Sequence, residues 1–234
     1  MEELGSVNYL SRCKDKVASF KASLPIRVDP NAISYKAKIP FKAVTYREAL
    51  FYRATELAES ATELYSYPDK VVSAFILTRA IYETTALLVV LHSKISAVVA
   101  SKSVGDFDEY IMTNTYGWKL KVDDNLPTIP TILNAIDKAD KVLGVGGLIR
   151  ESYENISEYC HPNYAGVKGA YVKFDKDNDW ADMGVTFTNI DAEPVIGTLL
   201  SDLEIFELYY NKISSLMNDF VDVCENEIES RRCD

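Results

Sequence analysis

Apolar positions in this chain recur mostly at spacings of three and four, the period of a helix that buries one face. Val7, Leu10, Cys13, Val17 and Phe20 predict a short helix within residues 1–24. Pro25, Pro30 and Pro40 then punctuate an extended, proline-rich arm up to residue 44, where the alternation Ile33, Tyr35, Ala37, Ile39 predicts a short strand. Thr45, with Glu48 three residues on, reads as a capping box opening the next helix. Leu50, Ala54, Leu57, Ala61 and Leu64 form its stripe, and Pro68 ends it, with Asp69 placed to cap the helix after it.

The segment from Lys70 to Ser101 is the most apolar. Val72, Phe75, Leu77, Ile81, Leu87, Leu88 and Leu91 cover more than one face, which puts this helix in the middle of a bundle. Weaker helical patterns occupy Phe107–Tyr116 and Thr131–Leu143, with a loop at Gly117–Asn125 between them. Gly144, Gly146 and Gly147 make a turn between helices; no strand precedes them, so they are not a dinucleotide fingerprint. Leu148–Cys160 is helical, and Pro162 forces His161 to its end. Ala170–Phe174 and Gly184–Thr188 predict a β-hairpin around the Asp175–Asp179 turn. From Pro194 to Arg231, Ile196, Leu199, Leu203, Phe206, Tyr210, Ile213, Met217, Phe220, Cys224 and Ile228 form one long stripe, a candidate dimer interface. The expected fold is mainly α, one domain over 1–234: an N-terminal helix and arm (1–44), a bundle core (45–165), a small β-hairpin insertion (166–193) and a long C-terminal helix (194–231).

Composition sharpens this picture. With 10 glycines and 8 prolines in 234 residues, breakers are scarce, which favours helices over many-turned β structure. The 25 basic and 35 acidic residues leave a net charge of −10, which excludes a general basic surface for nucleic acid and leaves room only for a local cationic site. Four scattered cysteines and two histidines write no zinc pattern, and no cofactor or metal is expected. The Asp175–Asp179 run lacks the glycine and terminal glutamate of a calcium loop. The opening residues do not form a signal peptide, and Thr84–Ala100 is interrupted by His92 and Lys94, so the expectation is a cytoplasmic protein with reduced thiols and no membrane span.

Chemistry concentrates in Arg150–Asn163. On a helix, Ser157 and His161 share a face, as do Glu154 and Glu158, and Tyr153 lies beside them. A helix C-terminus and neighbouring carboxylates both favour a protonated imidazole. A second pair, Arg79 and Glu83, sits one turn apart on the most apolar helix. It reads either as a structural ion pair or as an anion site, with Arg79 turned toward His161.

Asn155 and His161 are separated by five residues near a helix end, and this resembles the R-x(4–6)-H motif of the HEPN superfamily of small helical proteins. Tyr153-Glu-Asn-Ile-Ser-Glu-Tyr-Cys-His161-Pro-Asn163-Tyr-Ala-Gly166, taken with an R-x-x-x-E helix like Arg79–Glu83, is also similar to a pattern of uncharacterised bacterial proteins. The resemblance covers roughly residues 72–90 and 130–170. It implies a metal-independent ribonuclease of a toxin or phage-defence type, acting as a homodimer on RNA, with His161 as general acid or base and Asn155 as its polar partner. It also implies Arg79, Glu83, Tyr153, Glu158 and Asn163 around the substrate. An asparagine stands where the superfamily usually has arginine; it donates hydrogen bonds but does not neutralise charge. Arg79 or Arg150 is available to supply the cation. Two other readings stay open: a non-catalytic dimerisation or regulatory module built on the 196–228 stripe, and a small-molecule or nucleotide-binding protein with a pocket around Arg79, Glu83 and tyrosines.

Overall fold

A computed structural model describes residues 8–117, 131–184 and 192–233. The centre of the fold is α4 (Val71–Ser101), a 31-residue helix. By length and composition α4 is apolar enough to cross a membrane, but 67% of its most apolar window is buried inside the protein. One side of α4 packs on α3 (Lys38–Leu64) and α9 (Glu193–Cys233), the other on α6 (Ile132–Leu143) and α7 (Leu148–Cys160). The short α5 (Phe107–Tyr116) lies against α3 and the end of α4, and α1 (Tyr9–Ser23) covers α3 and α9.

The α9 stripe is consumed inside the chain. Leu199, Leu203, Phe206, Ile213 and Phe220 are fully buried. Phe206 meets Phe20 of α1 and Phe51 of α3 with ring centroids 5.9 and 6.0 Å apart, and Tyr210 sits 4.7 Å from Phe51. This stripe is therefore core rather than a free surface for a second copy.

The N-terminal arm departs from expectation. Among the described residues it holds no strand: Pro30–Ile33 is one helical turn (α2), whose cap Asp29 accepts from the Asn31 amide at 2.9 Å. Proline suits a first turn because its missing N–H would have no partner there. For the same reason Pro40 does not block α3, which starts seven residues before Thr45. Thr45 is not a cap; its hydroxyl donates to the Phe41 carbonyl inside the helix at 2.9 Å. Glu48 is buried instead, held by Arg47 and by the Tyr210 hydroxyl at 2.9 Å. Asp69 lies in a single 3₁₀ turn, Pro68–Lys70, and does not cap α4.

The hairpin exists, in a shifted frame. β1 (Val172–Asp175) pairs antiparallel with β2 (Trp180–Met183), Val172 opposite Met183. Residues 180–183 take the second strand, and 185–188 lie outside the described residues, as do Val7 and most of the loop expected at Gly117–Asn125. The Asp175 carboxylate accepts from the Asp177 and Asn178 amides at 2.9 and 3.2 Å, so it builds the turn.

Candidate functional site

Between α4, α6 and α7, with α5 and α3 at one end, lies a cleft of about 970 Å³. The wall from α7 is a single stripe: Arg150, Tyr153, Glu154, Ser157, Glu158 and, just past the helix, His161. Those positions recur at three and four, so the helical period that packs Tyr153 and Ile156 against the bundle also turns this set toward α4.

The glycine turn before α7 is a structural device. Gly144, Gly146 and Gly147 all take positive φ (68°, 66° and 98°), a conformation side chains resist. It brings Asp140 of α6 under the start of α7, where the carboxylate accepts from the amides of Gly147 (2.5 Å) and Ile149 (2.9 Å). A helix N-terminus with no cap of its own is thus satisfied by the preceding helix.

At the other end of α7 the turn carrying His161 is locked. His161 is the C-cap in extended conformation, its amide donating to the Ser157 carbonyl at 3.1 Å. Asn163 Nδ2 donates to Glu158 Oε2 at 2.8 Å, and its Oδ1 accepts from the Gly166 amide at 3.1 Å. Gly166 lies so close to α7 that a Cβ there would stand 2.1 Å from the His161 carbonyl oxygen. Only glycine fits. The His-Pro-Asn-x-x-Gly segment therefore fixes where the exposed His161 ring can reach.

Arg79 of α4 faces this wall. Its Nε and Nη2 lie 3.0 and 2.9 Å from the Tyr153 hydroxyl oxygen, which accepts from them, and its guanidinium lies 5.1 Å from the centre of the Tyr153 ring. The Tyr153 hydroxyl in turn donates to Glu83 Oε1 at 2.9 Å, and Arg79 and Glu83 approach to 3.4 Å. Burial works against the Arg79 charge, but the Tyr153 and Glu83 oxygens more than offset it, and its pKa lies above the ordinary value. Burial also pushes up the thiol of Cys160 beside it, against the pull of the Arg79 charge. Arg150 is held by Asp137 (2.8 Å) and Glu154 (2.6 Å).

Of the residues expected at the site, Arg79, Glu83, Tyr153, Glu158 and His161 line one cleft. Asn155 does not. It is exposed on α7 and lies six residues before His161, which at about 100° per residue leaves the two on different faces. Its assignment as the histidine's polar partner is corrected: among the described residues, the cations on this cleft are Arg79, Arg150 and Lys138. Asn163 is corrected too; both ends of its amide are used in the turn, so it positions His161 and does not line the cleft.

The sequence reading missed the far end of the cleft, formed by Tyr46, Leu87, Val90, Tyr110 and Asn114. Those residues come from three helices and share no motif.

No family model, curated protein or solved structure matches the chain. Fold and site define its class on their own: a helical bundle with a cleft, part charged and part apolar, between its central helix and a histidine-ended neighbour.

Proposed function

We propose that this cleft acts on RNA, as a HEPN-like, metal-independent ribonuclease in which Arg79 replaces the missing motif arginine. One observation carries the reading: Arg79 and His161, from two different helices, line the same cleft, and Tyr153 holds the guanidinium in place. A planar, permanently charged group suits a phosphodiester oxygen. His161 takes the proton of a ribose 2′-hydroxyl. The 2′-oxygen then bonds to the adjacent phosphorus, the bond to the 5′-oxygen breaks, and that oxygen takes a proton from water as His161 releases its own to solvent. The products are a 2′,3′-cyclic phosphate and a 5′-hydroxyl.

The test is incubation with mixed-sequence RNA in EDTA, wild type beside His161→Ala. Proton transfer by a placed histidine is worth ~10²–10⁴-fold, so the variant should lose at least a hundredfold in rate, with cyclic-phosphate ends formed by the wild type alone. Cleavage that survives His161→Ala refutes the assignment. Nucleotide binding without cleavage is a second reading, supported by the tyrosine-lined, apolar far end that shares the cleft with Arg79.

A further inference from the structure

The cleft has two chemically different ends. From Arg79 to Val90 along α4 is 11 residues, roughly 16 Å at 1.5 Å of rise each. At one end, Leu87 and Val90 of α4 and Ile132 of α6 make apolar walls, and Tyr46 and Tyr110 close it. Arg79 and Glu83 of α4, and Glu154, Glu158 and His161 from the α7 side, make the rest of the cleft charged or titratable. A lone phosphate leaves the apolar end empty. A nucleotide carrying more than one phosphate, or a dinucleotide step of RNA, is long enough to fill both.

Tyr110 says what kind of group belongs there. Its hydroxyl is buried and has no hydrogen-bond partner among the described residues. Buried polar groups are nearly always paired, and each exception calls for an explanation. One turn on, Asn114 donates its amide nitrogen to the Tyr110 carbonyl at 2.8 Å, which leaves the Asn114 side-chain oxygen as an acceptor on the cleft. A hydroxyl donor, a carbonyl acceptor and apolar walls together match the edge and faces of a nucleobase. Bases present ring acceptors beside amino or imino donors, and aliphatic side chains cover their flat faces.

We infer that the α5 end of the cleft is a base-binding subsite, in which Tyr110 donates to, and Asn114 accepts from, the base of a nucleotide whose phosphate lies at Arg79. This rests on the proposed function for the phosphate end only. The base end stands on its own residues and can be tested separately.

Calorimetric titration of the intact protein in EDTA compares the four ribonucleoside triphosphates with tripolyphosphate, for wild type and Tyr110→Phe. At least one nucleoside triphosphate should bind 10-fold or more tighter than tripolyphosphate. Losing one neutral hydrogen bond should weaken it by roughly 2- to 10-fold in Tyr110→Phe, with tripolyphosphate unchanged. The variant should melt no lower than wild type, because it removes an unpaired hydroxyl. Leu87→Arg, which fills the subsite, should abolish the preference for the nucleoside. The RNA assay separates the sources and the two claims. Cleavage that depends on His161 but proceeds with the same rate and base preference in Tyr110→Phe overturns the subsite and leaves the ribonuclease reading intact. Nucleotide binding that depends on Tyr110, without any RNA cleavage, supports the subsite for free nucleotides and overturns the ribonuclease reading. Equal affinity for nucleotides and tripolyphosphate, or no binding of either, overturns the subsite.

Discussion

The two flanks of α4 use one helix in opposite ways. Toward α3 and α9 the contact is dry: Ile81, Leu88, Leu91 and Ile95 of α4 and Leu199, Leu203 and Phe206 of α9 are all fully buried. The buried acid on that flank, Asp202, is held by the Thr85 hydroxyl, which donates to it at 2.9 Å. Toward α7 the same helix turns Arg79 and Glu83 into a half-exposed cleft, where each charged group finds several partners. A buried charge without a counter-ion gives up its proton equilibrium to the fold, whereas a paired, partly wet one keeps its charge available. One flank is dry and fully packed; the other keeps its charged groups on an open cleft.

The comparison can be broken first at the dry flank. Phe206→Ala should cost about 3–5 kcal/mol by denaturant titration, because the cavity it leaves is ringed by Phe20 and Phe51. Phe20, Phe51 and Phe206 do not line the cleft, so ligand binding by the fraction still folded should not change.

Next comes pH. Burial raises the Asp202 carboxyl from 3.8 to about 7, against the weaker effect of the Thr85 hydrogen bond. Folded Asp202 therefore holds its proton more tightly than the unfolded chain does. Its contribution is fully present below about pH 4 and is lost as pH rises through 7, on the order of 4 kcal/mol in all. Asp202→Asn should flatten this part of the stability profile and melt higher than wild type at pH 8. An unchanged profile would mean that the acid is not buried as described.

The smallest effect is expected on the wet flank. Tyr153→Phe removes the oxygen that joins Arg79 to Glu83 and should cost about 1–3 kcal/mol. It should weaken phosphate-end ligands more than it weakens folding, read as affinity beside denaturation midpoint.

The same contrast explains how much of the molecule is legible in the sequence. The helices from α4 to α7 and α9 are readable within a residue or two, because an apolar stripe at helical spacing is a local signal. The hairpin is readable as an element, but its frame is not: exposed strands such as Trp180–Met183 carry little burial pattern to fix a register. The start of α3 is misread because prolines look like breakers unless the first turn is known. Arg79, Glu83, Tyr153, Glu158 and His161 reach one cleft because their spacing sets them on facing stripes of two helices. Asn155 is misassigned because a six-residue interval matches a motif but not a helix face. Tyr46, Tyr110 and Asn114 are illegible, since only the tertiary packing of α3, α4 and α5 brings them to one end of the cleft.

Arg79 and His161 are proposed to serve one ligand. A double-mutant cycle tests this: Arg79→Ala, His161→Ala and their combination are each assayed for the rate of RNA cleavage in EDTA. Two residues acting on one reacting group should be coupled, with losses in transition-state stabilisation that depart from additivity by about 0.5–3 kcal/mol. Strictly additive losses, or none in either single variant, would contradict the account.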